Sequence, residues 1–547
     1  METEIKTTQM FYGLPNIIKL LIVLSLVLGL FFRFYALDKK VYSNDETFST
    51  LLIFNHDLSE ILKQSFDGPV IGIEDLQKYQ QINTQKTLYE SLKQMLSKPY
   101  VFPPAYPMLT RLWTELWTQF FNNPMAIQRS FSALISTFAL FFIYWLCQEL
   151  FQNNMVAWIT VSLVAVSPFH IQYAQVVRPY SLLTAVTLLS STCLLKAIRL
   201  NSKLSWMIYM LTVFLGLYSN LLFGFVIIAH SAYVLIIKNF NLKDPIIIYY
   251  LITLFGGVLS FIPWFLMFIL APSNLFAYSV EQVVHSLPLP SLIVIWIRNI
   301  VGIFFDVYDP WIEFTKAFKI LGILSPLIFL IVSFSIYLIF RKTTKEVWLF
   351  IFTLVGFTGV IFIITDLMFG GSVSTRIRYL TPSVLGIEIA VAYLIYSQLI
   401  ANSYLQRKLG KVLFLVLMLS GIISCGVISQ AESWSAFGSP SYPIIARTIN
   451  QSTRPLVIAD NLGRALTLSY LLDSKVSFQL LRQPKTVKID DNYSDVFLLE
   501  TSENLNRRFE KEENYQRKVI SKFSRNSPKI SNVWRLEKDQ KLLELKI

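Results

Sequence analysis

The chain has 547 residues, of which 54% are apolar and 15% charged, with a formal net charge of +13. Soluble domains average about 45–50% apolar and about 25% charged residues, so these proportions exclude a disordered chain or one large soluble core and point to a polytopic membrane protein. Lysine and arginine collect in the cytoplasmic loops of such proteins, which explains the positive excess without a nucleic-acid partner.

A spanning helix needs about 20 apolar residues. Eleven candidate runs occur, at 16–36, 128–149, 155–169, 180–198, 204–218, 220–237, 246–269, 317–340, 347–366, 379–399 and 412–430. The first has no small-residue cleavage site and reads as an uncleaved span rather than a signal peptide. Lys196, Arg199 and Lys203 share one short loop, Lys238 and Lys243 a second, Arg341, Lys342 and Lys345 a third, and Arg407, Lys408 and Lys411 a fourth. All four fall on one side of an eleven-span count. The positive-inside rule makes that side cytoplasmic, with the amino terminus inside and the carboxyl terminus outside, in a plasma (inner) membrane. Cys147, Cys193 and Cys425 lie in or beside apolar runs without metal-ligand spacing and read as packing residues.

Three large pieces face the opposite side. The loop 37–127 is too long for a plain connection. It contains amphipathic stretches at Thr50–Leu62 and Tyr106–Phe121 that suit an interfacial position. A second outer loop covers 270–316. The tail, 431–547, alternates strand-like and helix-like runs: Pro455–Ala459, Leu462–Leu472, Val476–Leu481, Asp495–Glu500 and Glu503–Glu512, with Val519–Phe523 and Asn532–Leu536 as further strands. That pattern predicts a small extracytoplasmic α/β domain. The expected organisation is a membrane domain over 1–430 and this domain over 431–547.

Charge at membrane depth costs about 2.5–3.5 kcal/mol per residue, so charged groups near the outer span ends need a reason. Three clusters qualify. Asn44-Asp45-Glu46 opens a helical run and reads either as an N-cap or as a general base or metal-holding carboxylate pair. The turn Ser167–Tyr180, SPFHIQYAQVVRPY, carries His170, Gln175, Tyr180 and Arg178. It reads as an aromatic belt with a snorkelling arginine, or as an anion site built on a planar guanidinium fork. Gly370–Tyr379 puts Arg376 and Arg378 beside Tyr379 on the outer side, against the positive-inside trend, where phosphate binding is the natural role.

These residues resemble the polyprenyl-phosphate-dependent glycosyltransferases of the GT-C fold. The likeness is to family 39-like proteins, relatives of protein O-mannosyltransferases and of the lipid A aminoarabinose transferase. It runs through Val23–Leu200 and returns at Thr375–Val391. Asp45-Glu46, Pro103-Pro104-Ala105-Tyr106, Arg129–Leu134, SPFHIQYAQVVRPYSLL and Arg378–Pro382 carry it. Two positions depart from the family pattern. Phe102 stands where His or Lys often precedes the Pro-Pro pair, with Lys98 four residues earlier as a substitute, and Val176 follows Gln175 where many relatives are acidic. The resemblance implies an about eleven-helix GT-C membrane protein with interfacial helices and an external site. The expected enzyme inverts a sugar taken from a polyprenyl-phosphate donor and gives it to a lipid, glycan or protein acceptor among the membrane lipids. Asp45 and Glu46 would be catalytic, with a divalent metal (Mg or Mn) as a further possibility. Arg178, Arg376, Arg378 and Lys98 would bind the donor phosphate, and His170, Gln175, Tyr180 and Tyr379 would line the substrate pocket. The competing class is a transporter or flippase of lipid-linked sugars.

Overall fold

The computed structural model describes residues 16–66, 69–97, 103–270, 287–306, 314–433, 441–481, 492–499, 501, 502, 505, 515–521 and 533–538. They form two compact units. One comprises Met1–Leu37, Leu92–Leu109 and Gln128–Ala431, and the other Asp38–Ser91, Thr110–Ile127 and Glu432–Ile547.

The first unit is helical, and every one of the eleven apolar runs coincides with a helix. Among the described residues eight helices are long and apolar enough to cross a membrane by themselves. Lys203–Ser219 and Phe223–Ile237 are apolar but shorter. Asn154–Ala165 passes together with Pro168–Ala174, from which it is bent by 60°. The bend has a local cause. Pro168 occupies the first turn of the second helix and cannot donate a hydrogen bond back into the first. The last helix, Tyr404–Gln430, starts a full two turns before the apolar run at 412, because its first turns are the basic segment that connects it to the preceding span.

Helices Tyr180–Leu200 and Thr381–Leu399 are the most enclosed, whereas Pro245–Leu270 leaves Ile252, Phe255, Leu259 and Ile269 exposed, as a lipid-facing helix does. Arg33, at the end of helix Asn16–Phe34, is wholly buried. Its guanidinium donates to the carbonyls of Gly29 (2.9 Å), Ala165 (2.7 Å) and Val164 (3.2 Å) and to Ser136 Oγ (3.0 Å). It thereby satisfies carbonyls that the break at Pro168 leaves without helical donors. Gly29 permits this close approach: a Cβ there would stand 2.4 Å from the Ala165 carbonyl oxygen.

The second unit is built on a six-stranded sheet: β1 (Ile71–Gly72), β2 (Pro455–Ala459), β3 (Ser477–Leu480), β4 (Asp495–Leu499), β5 (Tyr515–Ser521) and β6 (Val533–Lys538), in the order β1-β3-β2-β4-β6-β5. β2 pairs in parallel with β3 and β4, while β1, β5 and β6 join antiparallel. The parallel pair β2–β3 is joined by helix Leu462–Ser469, and β2 is buried at all five positions, as a strand covered on both faces must be. Leu456, Ile458, Val496, Leu498 and Leu536 pack on one face. On the other, Val457, Phe478, Phe497 and Leu466 pack with Leu51, Ile61, Ile73, Leu76 and Tyr79.

Those last five residues belong to the first outer loop, which the sequence assigns to the membrane domain. Residues 38–91 and 110–127 fall with the tail in one unit. The stretch Thr50–Leu62, expected to be continuous, is two helices, Asn44–Ile53 and Leu58–Ser65. Asn55 turns between them at φ 62°, a left-handed conformation that asparagine tolerates better than most residues. The strand expected at Val519–Phe523 starts earlier, at Tyr515, and the helix expected at Glu503–Glu512 falls almost wholly outside the described residues.

Candidate functional site

In the sheet-based unit, Asp45 and Glu46 lie in the first turn of helix Asn44–Ile53, and they have different fates. Ser43 is the N-cap. Its hydroxyl accepts from the Glu46 backbone N–H (3.2 Å), and Glu46 Oε2 accepts from the Ser43 N–H (2.9 Å) and hydroxyl (3.1 Å). This reciprocal capping box satisfies two helix-end donors. It also occupies Glu46, whose side chain is fully buried. Asp45, one residue earlier, is partly exposed. The cap takes up Glu46 Oε2. Among the described residues no three His, Cys, Asp or Glu side chains cluster as metal ligands.

The tail braces this helix. Thr47 Oγ1 and Thr467 Oγ1 share a hydrogen bond of 3.0 Å, and the Tyr42 and Tyr470 rings meet at a tilt of 41° with centroids 4.7 Å apart. A Cβ on Gly463 would stand 2.3 Å from Asn44 Oδ1 and 2.9 Å from the Phe48 ring. Behind the helix, buried Arg111 donates to the Ile53 carbonyl (3.2 Å), the Lys86 carbonyl (3.2 Å) and Glu115 (2.8 Å). His56 Nε2–H donates to the Gln81 carbonyl (2.8 Å) and the ring meets Tyr79 edge-on at 5.2 Å. Burial holds the His56 pKa below the usual histidine value. The Gln81 bond opposes that shift, and the positive charges of Lys86 and Arg111 add to it.

In the helical unit the turn between the third and fourth expected spans, 167–180, is closely tied. Gln175 Nε2 donates to the carbonyls of Phe32 (2.6 Å) and Tyr35 (3.0 Å). Ser132 Oγ donates to the Val176 carbonyl (2.9 Å), Ser181 Oγ to Tyr173 (2.9 Å) and Ser167 Oγ to Ile303 (2.8 Å). His170 Nε2 and Glu388 Oε2 share a hydrogen bond of 2.9 Å, and both side chains are buried. This frame presents Arg178, itself 7% exposed, with its guanidinium carbon 6.0 Å from the Tyr180 ring. Tyr180 in turn meets Tyr173 edge-on at 5.2 Å.

The second arginine segment follows helix Lys345–Phe369. Gly370 ends that helix in the left-handed region (φ 72°), and two short 3₁₀ turns, Val373–Thr375 and Ile377–Leu380, lead to helix Thr381–Leu399. Arg378 is 9% exposed and lies 5.4 Å from the Tyr379 ring, while Arg376 is half-buried. Helix Thr381–Leu399 links the two arginine segments. It begins at the 376–380 segment and, seven residues on, carries Glu388 to His170.

The structure thus brings His170, Gln175, Arg178 and Tyr180 into one tied turn and Arg376, Arg378 and Tyr379 into another. Lys98 lies outside the described residues. Sequence reading missed Glu388 and Asp366, each a single acid inside a run read as a membrane span. That isolation was itself the available signal, because a lone intramembrane acid demands a partner.

Residues 103–266 match the family described as dolichyl-phosphate-mannose-protein mannosyltransferase. No curated protein matches the chain. Among solved structures, ArnT from Cupriavidus metallidurans in the apo state is 11% identical with a TM-score of 0.50, over 94% of this chain and 97% of that one. The same protein bound to undecaprenyl phosphate gives 12% identity and a TM-score of 0.48 over the same shares. The oligosaccharyltransferase of Archaeoglobus fulgidus is 11% identical with a TM-score of 0.48 over 87% of this chain, which spans only 65% of the archaeal enzyme. At such identities the structural likeness is one of fold, and the fold is GT-C. The family match and the fold together support a membrane glycosyltransferase of the GT-C type.

Proposed function

We propose that the protein transfers one sugar from a polyprenyl-phosphate donor to a hydroxyl or amine of a lipid, glycan or protein acceptor, with inversion, on the extracytoplasmic face of the plasma (inner) membrane. The observation that carries this reading is the burial of Arg178 and Arg378 where apolar helices end. Burying charge in such a setting costs about 2.5–3.5 kcal/mol, and the planar guanidinium fork suits a phosphate. The amino terminus is cytoplasmic and the sheet-based unit extracytoplasmic in this reading, as the positive loops require.

Asp45 is the catalytic carboxylate. It orients the acceptor and takes its proton as the acceptor atom attacks the anomeric carbon opposite the phosphate. The bond from that carbon to the phosphate oxygen breaks, and the polyprenyl phosphate leaves with the electron pair. Arg178 with Arg376 or Arg378 stabilises the charge that develops on it, and Lys98 is a further donor-phosphate contact. Tyr180 and Tyr379 stand beside the arginines and line the pocket. His170 and Gln175, held by Glu388 and by the Phe32 and Tyr35 carbonyls, shape the turn that presents Arg178. The polyprenyl chain lies along apolar surface near the helices between 223 and 369, which positions the donor.

The test is purified protein in detergent with radiolabelled polyprenyl-phosphate sugars and a mixed acceptor extract. Movement of label from lipid phosphate to acceptor, in the absence of two compartments, supports an enzyme. Binding of the lipid without any turnover would instead mark a transporter.

A further inference from the structure

The segment that carries Arg376 and Arg378 is held from two sides by groups with no assigned role. Asp366, in the last turn of helix Lys345–Phe369, is 3% exposed. Its Oδ1 accepts from the Val373 N–H (2.9 Å), and its Oδ2 from the Ser374 N–H (2.6 Å) and hydroxyl (2.5 Å). One buried carboxylate thus takes three donors from a single short turn. Gly371 lets the chain pass close over it, since a Cβ there would stand 2.5 Å from Asp366 Oδ1.

From the other side comes helix Leu289–Val301. Trp296 Nε1–H donates to Ser374 Oγ (2.8 Å), and Asn299 Nδ2 donates to the Thr375 carbonyl (2.9 Å). Ser374 Oγ is therefore a relay: it receives from the indole and donates to the carboxylate. Asn299 grips the residue immediately before Arg376. The same helix exposes Leu289, Ile293 and Val294.

We infer that Asp366, Trp296 and Asn299 are positioning residues that set the backbone of 373–375, and through it the direction of Arg376 and Arg378 toward the donor phosphate. This rests on the proposed phosphate role of those arginines. Charged hydrogen bonds reward geometry, and a bidentate guanidinium loses most when its base shifts. The frame would therefore act on donor use rather than on the acceptor.

The experiment uses the full-length protein in detergent with undecaprenyl phosphate as probe, and reads lipid affinity together with backbone hydrogen exchange across 371–379. Trp296→Phe keeps the aromatic bulk and removes one donor. It should weaken undecaprenyl phosphate binding by about tenfold, a typical value for a buried hydrogen bond, and speed exchange in 373–376. Asp366→Asn should weaken binding further, by about a hundredfold, because a charged acceptor is lost. Trp296→Phe added to a variant that carries both Arg376→Ala and Arg378→Ala should bind no more weakly than that variant without it, since the frame then has nothing to aim.

A Trp296→Phe protein with unchanged affinity and exchange overturns the inference, as does a full further loss of affinity when Trp296→Phe is added to the variant lacking both arginines. If Arg376→Ala and Arg378→Ala both bind undecaprenyl phosphate normally, the phosphate reading fails and takes the inference with it. Faster exchange with loss of affinity in Trp296→Phe, against normal arginine dependence, supports both.

Discussion

The acidic helix and the arginine turns hold their charged groups in opposite ways. Asp45 and Glu46 sit at the start of a regular helix, where local sequence does most of the work: Ser43 and Glu46 close a capping box and leave Asp45 partly exposed. The arginines sit in short irregular turns, where backbone order comes from side chains far away in sequence, such as Glu388 for His170 and Trp296 for Ser374. An adjacent pair of like residues can therefore have one member tied into the fold and one at the surface. An isolated polar residue in an apolar run can be the one that orders a site.

The largest expected effect separates the two acids. Asp45→Asn should lower transfer by about 10²–10⁴-fold, the range of general acid–base catalysis, with the unfolding midpoint unchanged. Glu46→Gln should cost about 1 kcal/mol of stability through the weakened cap and leave the transfer rate within a few-fold. Steady-state rates and thermal unfolding on the two variants decide it, and a comparable rate loss in both would erase the distinction. Next comes Arg178→Ala, expected to raise the transition state by about 2–4 kcal/mol if it acts as an oxyanion-type donor. An unchanged rate would return Arg178 to a snorkelling role.

Breaking the buried hydrogen bond with Glu388→Ala should cost about 1–3 kcal/mol, since the buried His170 ring is left without this partner. Urea unfolding of the detergent-solubilised protein measures this, and a loss under 1 kcal/mol would show that the turn does not depend on the pair. In the acidic region, Gly463→Ala should cost about 1–3 kcal/mol by overpacking against Asn44 and Phe48, with a parallel fall in transfer. Stability lost without any change in activity would separate the tail from the proposed role of Asp45.

The smallest effect concerns pH. His56 is neutral in the fold because burial lowers its pKa, whereas the unfolded chain titrates near about 6.5. The unfolded state takes the proton first, so this contribution to stability is present above that value. It is lost as pH falls through the lower folded pKa. The unfolding midpoint should drop on acidification from pH 7, and less so in His56→Gln. Equal slopes would remove His56 from the account.

Much of this was legible in the sequence because hydrophobic length and alternation carry it. The apolar runs fall on helices, with 155–169 crossing a bent pair, and β2 has the bounds expected of it. The two-residue strand β1 was not legible, since its partner β3 lies some four hundred residues later and nothing local marks the register. The union of the first outer loop with the tail depends on close approach at Gly463 and on Thr47 meeting Thr467, contacts that no local pattern encodes. Asp45, Arg178, Arg376 and Arg378 stood out because charge broke an expected pattern. Asp366 and Glu388 were passed over because the surrounding apolar run was stronger than one acid.

The most direct test of the central claim is a single-turnover assay in detergent with a radiolabelled polyprenyl-phosphate sugar, comparing wild type, Asp45→Asn and Glu46→Gln. The account predicts release of label to acceptor by wild type and Glu46→Gln, with Asp45→Asn slower by at least about a hundredfold. Label retained on the lipid by wild type, or transfer by Asp45→Asn at the wild-type rate, would contradict it.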